Sequence, residues 1–223
     1  MRRAFARALD ELDEEQSLAL YGPWDPLQPG QVAELLAGSG VRWWIAGGRA
    51  ARAGSAARPH DDTDMAVDVR SLDALRAHLS GWHLWEAHEG TLRPLLPPDT
   101  MLKGREQLWL RRDSSQPWRL DILIDRSADY GPDEWVFKKD HRVKVPWDRA
   151  LQVIDGISYL RPELALLHKA HLDRPKDRAD LAAARLHPQV RTWLADTLDQ
   201  LGRHRWAELA RSTQTPGPSQ PPA

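Results

Sequence analysis

Apolar and polar positions follow two different rhythms along this chain. Through the first two thirds the short period of a strand dominates. The run VRWWIA at 41–46 is apolar and rich in strand formers, and Gly47-Gly48 ends it. DTDMAVDV at 62–69 alternates acidic with apolar residues, as a strand with two different faces does. WRLDILIDR at 118–126 repeats the rhythm, with Leu120, Ile122 and Ile124 on one face and Asp121, Leu123 and Asp125 on the other. Further strands are predicted at 83–86 and 107–111. Helices are predicted at 3–16 (Phe5, Leu9 and Leu12 on one face), 31–37, 49–53 and 72–79. The stretch 21–30, with three prolines and two glycines, reads as a connector.

From about residue 157 the period lengthens. PELALLHKAHL, DRADLAAARL and VRTWLADTLDQL are helical patterns with prolines at or near their starts. STQTPGPSQPPA at 212–223 lacks a core-forming residue and is expected to be disordered. The expected organisation is α+β: a mixed sheet flanked by helices over 1–155, with an N-terminal helical extension. A C-terminal helical region over 156–211 and the tail at 212–223 follow.

Composition narrows the classes. Of 223 residues 41% are hydrophobic, enough to bury a core. A formal net charge of −1 offers no general field for gripping a polyanion, so a nucleic acid would need a local patch. KKDHRVKV at 138–145 is the most basic run and reads first as a solvated loop; it is where an RNA acceptor would be sought. The absence of cysteine excludes disulfides, zinc–thiolate sites and thiol nucleophiles. The apolar runs are too short to cross a bilayer, and the N-terminal segment lacks the apolar stretch of a secretory signal, so a cytoplasmic protein with no membrane partner is expected. Eleven tryptophans outnumber the three tyrosines and two phenylalanines together; most read as core, with Trp85 or Trp109 as candidates to line a cleft.

The strongest local feature is GGRAARAGSAARPHDDTDMAV at 47–67. Residues two apart on a strand point the same way, so Asp62 and Asp64 present their carboxylates together. Two such carboxylates repel unless a cation sits between them, and magnesium suits oxygen ligands. A strand, Gly47-Gly48 and a helix in succession let backbone amides approach phosphate oxygens. A lone Asp-x-Asp is more often a solvated face, and a lone Gly-Gly mostly a turn; the two in this order point to phosphoryl or nucleotidyl transfer. Asp121 is the best third carboxylate, with Asp125 as fallback and a plain ion pair to Arg119 or Arg126 as the structural alternative. Arg58 either reaches a phosphate or is a surface arginine, and His60 either steadies the acidic loop or is merely structural. Lys169, three residues after Leu166 on an apolar helix, either snorkels outward or reaches a phosphate or carboxylate. Asp177 and Asp180, one helical turn apart, read as structural rather than metal-binding.

At these residues the chain resembles the polymerase-beta-like nucleotidyltransferase superfamily, most closely its aminoglycoside and lincosamide nucleotidyltransferase type. WWIAGGRA and RPHDDTD match that family's W-[IL]-A-G-G-W-A and R-P-H-[DE]-D-[IT]-D. GISYLRPELALLHKAH, RPKDRADL, RTWLADTL and HRW resemble its later helical segments, so the likeness covers nearly the whole chain. The resemblance implies a nucleotidyltransferase fold. It places two Mg2+ ions on Asp62, Asp64 and Asp121, with ATP or another nucleoside triphosphate as co-substrate held at Gly47 and Gly48. It implies a small hydroxylated acceptor such as an aminoglycoside, a hydroxyl attacking the α-phosphorus, and Asp121 accepting its proton. A tRNA or protein hydroxyl is the alternative acceptor, and a non-catalytic nucleotide-binding protein on the same fold is the alternative of another class. The chain departs from the family at Arg49, where a tryptophan is usual. That cation either assists the triphosphate, narrows substrate entry or points to solvent.

Overall fold

The computed structural model describes residues 14–53 and 62–212. Arg58 and His60, most of the helix expected at 3–16, and the tail beyond Ser212 lie outside the described residues. In chain order the elements are α1 (Glu14–Tyr21), α2 (Pro29–Leu35), β1 (Trp43–Ile45), α3 (Gly47–Ala51), β2 (Asp64–Asp68), α4 (Leu72–His78), β3 (His83–His88), β4 (Thr91–Pro94), β5 (Gln107–Arg111) and β6 (Leu120–Asp125). They continue with β7 (Glu134–Val136), β8 (Lys144–Pro146), α5 (Trp147–Ala150), β9 (Leu151–Ile154), β10 (Ile157–Leu160), α6 (Pro162–Leu172), α7 (Pro175–Ala183), α8 (Pro188–Gln200) and α9 (His204–Ser212). The architecture is α+β with mixed strand pairing. No helix among the described residues is long and apolar enough to cross a membrane.

The chain divides into two compact units, and neither is continuous in sequence. The first takes the residues up to Ile45 and those from Asp62 to Pro132. Its strands run in the order β4-β3-β5-β6-β2-β1. Here β2 and β6 are parallel, while the other neighbours pair antiparallel. The expected alternation on β6 holds: Leu120, Ile122 and Ile124 are buried in one core with Met65, Val67, Leu108, Leu110 and Leu84. Val32 and Leu36 and, from α4, Leu75 complete that layer. The opposite face carries a second, aromatic cluster in which Trp109 and Trp118 are buried and Tyr21, Trp24 and Trp85 pack against them. Its rings meet edge to face, for example Trp24 on Trp109 at 5.0 Å and Trp109 on Trp118 at 5.4 Å. The connector expected at 21–30 is tied down here, with the Trp118 indole donating to the carbonyl of Tyr21 at 2.6 Å.

The second unit takes residues 46–53 and those from Asp133 onward. It opens after α3 with the β7–β8 hairpin, and β9 and β10 form another hairpin around Asp155-Gly156. Both turn residues have positive φ, 51° and 78°, which fits the primed turns that close two-residue hairpins. The organisation expected from sequence placed a break between 155 and 156 and helices from about 157. The break falls inside this turn, and a strand precedes the first of the late helices.

Helix α6 is buried along Leu164, Ala165, Leu166 and Leu167 and packs against α3, α7 and α8. Between α6 and α7 lies a charged knot: the Lys169 ammonium is 3.0 Å from Asp177 and 2.9 Å from Asp180, and both aspartates are fully buried. Arg174 adds an ion pair to Asp177 at 2.8 Å. Trp206 on α9 donates its indole N–H to Asp173 at 2.6 Å, which anchors the closing helix to the α6–α7 turn.

A carboxylate row as candidate active site

Asp62, Asp64 and Asp121 all belong to the first unit. Thr63 sets the alignment between the strands that carry them. Its buried hydroxyl donates to the Leu27 carbonyl at 2.7 Å, and its own carbonyl accepts the Asp121 N–H at 3.1 Å. The parallel ladder then makes Asp64 and Asp121 direct partners. Because Thr63 turns toward Leu27, Asp62 and Asp64 on either side of it share the other face with Asp121. The next strand continues the row: Trp109 is the partner of Asp121, and Trp85 is the partner of Trp109. One line across four strands therefore reads Asp64, Asp121, Trp109, Trp85.

Asp121 is buried, while Asp62 and Asp64 are half-buried. Burial, followed by the charges of Asp64 and Asp62, holds the Asp121 carboxyl well above the usual carboxylate range. Two groups pull the other way. Gln107 donates its amide to Asp121 Oδ2 at 2.6 Å, and the Trp109 indole N–H lies nearby without meeting hydrogen-bond geometry. Asp121 Oδ1 is shielded from solvent and has no hydrogen-bond partner. An acceptor left unpaired in a buried position is rare in folded proteins, and it marks where a proton or cation would be taken up.

The fallback, Asp125, stands at the far end of β6. Its partner is Asp68, which is ion-paired to Arg70 at 2.6 Å and to Arg42 at 3.4 Å, and Asp125 itself accepts the Ser127 N–H at 2.8 Å. The structure joins Asp121 to the acidic pair, and Asp125 to a second, neutralised row. The alternative of a plain ion pair for Asp121 does not hold, since Arg119 pairs with Asp25 and Arg126 with Glu106 and Asp129.

The other expected site residues lie in the second unit or outside the described residues. Gly47 and Gly48 form the first turn of α3 rather than a loop before it, with Gly47 at φ +56°. Arg49 is half-buried, and its charge acts on Tyr159. Lys169, a candidate cofactor contact with a carboxylate partner as the alternative, takes the alternative: its ammonium is enclosed by Asp177 and Asp180 inside the helical core and not offered to a phosphate. Asp177 and Asp180 are structural, as expected. Arg58 lies outside the described residues.

Gln107 carries no signal of this role in the sequence, although its strand is legible there. Alternation along Gln107, Trp109 and Arg111 gives the face, but only the pairing of β5 with β6 shows that this face meets Asp121. The donor set of Asp62, Asp64 and Asp121 is all oxygen, which suits a hard divalent cation such as Mg2+. Among the described residues no three His, Cys, Asp or Glu side chains are already drawn together as a metal-ligating group. The fit rests on the unpartnered buried oxygen of Asp121 and the two carboxylates beside it. No protein-family model and no curated protein matches this chain.

Proposed function

We propose that this protein is a magnesium-dependent nucleotidyltransferase of the polymerase-beta-like kind, which moves a nucleoside monophosphate, AMP from ATP in the first instance, to a hydroxyl of a small molecule. The observation that carries the reading is the pairing of Asp64 with Asp121 on parallel strands, with Oδ1 of Asp121 buried and unpartnered. The resemblance of WWIAGGRA and RPHDDTD supplies the reaction class.

Asp62, Asp64 and Asp121 would hold the metal ions, which when bound neutralise the phosphate oxygens and acidify the attacking hydroxyl. Gln107 fixes Oδ2 of Asp121, so that Oδ1 alone is presented. By the resemblance, Asp121 also takes the proton of the attacking hydroxyl. The hydroxyl oxygen forms its bond to the α-phosphorus as the bond from that phosphorus to the pyrophosphate oxygen breaks. By the same resemblance, Gly47 and Gly48 are the assigned contacts of the phosphates.

The test is transfer of label from α-labelled ATP, GTP, CTP and UTP with Mg2+ to an aminoglycoside panel and, separately, to bulk tRNA. Label on a small acceptor, abolished in Asp64→Ala, is the expected result. Label on tRNA alone would keep the chemistry and replace the acceptor. No transfer to any acceptor with any nucleotide, by folded protein, would overturn the reading.

A further inference from the structure

One face of the β9–β10 hairpin in the second unit has unmet hydrogen-bonding capacity at its polar end, away from Ile154 and Ile157 beside the turn. Gln152 and Tyr159 are direct partners, and the Arg161 N–H extends the ladder to the Ala150 carbonyl at 2.9 Å. Arg161 is still extended, at φ −61° and ψ 144°, so its side chain falls on the face of Gln152 and Tyr159. Leu151 and Leu160 occupy the other face, where Leu160 is buried.

At this polar end, the Gln152 amide nitrogen and Arg161 Nε are shielded from solvent and have no hydrogen-bond partner. No carboxylate among the described residues lies within ion-pair distance of the Arg161 guanidinium. Glu163, buried two residues on, feels the Arg161 charge from further away, while its own burial favours its uncharged form. A second cation, Arg49, acts on Tyr159 from the neighbouring α3, and Asp155 in the turn acts on it in the opposite sense.

Each buried N–H without an acceptor disfavours the fold by about 1–3 kcal/mol, and folded proteins as a rule fill such positions. Both unmet groups here are donors, so what is missing is an acceptor. A guanidinium fork beside an amide donor matches the paired oxygens of a phosphoryl group. We propose that Arg161 and Gln152 form a binding site for a phosphoryl oxyanion, either free phosphate or the polyphosphate of a nucleotide. The site is built wholly within the second unit and needs neither a metal ion nor the carboxylates of the first.

The test is binding of inorganic phosphate, pyrophosphate and ATP to the full-length chain in the presence of EDTA, by calorimetry and by the shift in melting temperature. Pyrophosphate binds and raises the melting temperature of the wild type. Arg161→Met and Gln152→Leu each weaken it about tenfold or more, the worth of one charge-assisted hydrogen bond. Arg161→Lys, which keeps the charge and loses the fork, falls between. The ligand-free variants melt no lower than the wild type, because each removes an unpaired donor, whereas a purely structural arginine would lower stability when replaced. Tighter binding of phosphate than of ATP identifies a free-ion site, and the reverse identifies the nucleotide's polyphosphate, provided that pyrophosphate also binds. The proposal is overturned if no phosphoryl compound binds the wild type, if only ATP binds while pyrophosphate does not, or if both variants bind as the wild type does. Because the assay contains no divalent cation, a failure here leaves the nucleotidyltransferase reading unaffected.

Discussion

Gln107 donates its side-chain amide to Oδ2 of Asp121 at 2.6 Å, while Oδ1 of the same buried carboxylate has no hydrogen-bond partner. One oxygen is fixed and the other is offered, an asymmetry that a purely structural aspartate would not need. Asp173 shows the contrast: Arg178 and Trp206 both bond to its carboxylate, which they hold down to about 2.

Removing the fixed half of that arrangement weakens the site. Gln107→Leu is expected to lower Mg2+ affinity roughly 10–100-fold, the usual range when the group that orients a ligand is lost. Titration calorimetry on the metal-stripped variant checks this. Unchanged affinity would show that Gln107 serves only the fold.

Asp121→Asn is expected to stabilise the metal-free protein while removing its activity. The substitution deletes a charge opposed by burial and by Asp64 and Asp62, and it keeps an oxygen for Gln107. A gain of about 1 kcal/mol raises the melting temperature by roughly 2–4 °C in a chain of this size. A lower melting temperature in EDTA would mean that the Asp121 charge is compensated within the fold.

Some of this was legible in the sequence, and the reasons differ from residue to residue. Alternation at 62–69 and 118–126 sorted the faces correctly, because side-chain direction on a strand is a local property. Alternation puts Asp121 and Asp125 on one face and only the position of Asp125 nearer the strand end, with the resemblance, favours Asp121; the register gives the physical reason, since Asp121 faces Asp64 and Asp125 faces Asp68. Gln107 was invisible as a partner because strand order is a long-range property. The β9–β10 hairpin was a missed local signal, since LQVI and ISYL flank Asp155-Gly156, the dipeptide that favours such turns. Lys169 stands out on its apolar helix, but its partners come from the next helix, so the sequence leaves solvent, phosphate and carboxylate all open.

Lys169→Met is expected to be strongly destabilising. It removes the ammonium that lies 3.0 Å from Asp177 and 2.9 Å from Asp180, two carboxylates fully buried in the helical core. Breaking a buried ion pair from one side lowers stability by about 3–5 kcal/mol. Denaturant unfolding measures the loss, and a change below about 1 kcal/mol would contradict the buried network.

His168 makes the second unit sensitive to acid. Its ring packs edge-on against Phe137 at 4.8 Å and Trp135 at 5.9 Å. Burial, then the charges of Lys138, Lys139 and His171, push the imidazole down to about 3. The folded value lies below the unfolded one, so the neutral ring contributes stability that is complete above about pH 6.5. That stability is lost as the pH falls from there toward 3, because the unfolded chain binds the proton first. The ring is half-buried, so the expected slope from this group is at most about 1.4 kcal/mol per pH unit. His168→Phe should flatten the profile between pH 6 and 4, measured by urea unfolding at stepped pH; an unchanged slope would place the acid sensitivity elsewhere.

The proposed chemistry depends on Asp62, Asp64 and Asp121 forming a divalent-cation site. Its most direct test is calorimetric titration of Mg2+, with Mn2+ in parallel, into the metal-stripped full-length chain and into Asp64→Ala. Saturable binding by the wild type and at least a roughly tenfold loss in the variant, with the melting temperature preserved, are expected. Equal binding by the two proteins, or none by the wild type, would contradict it.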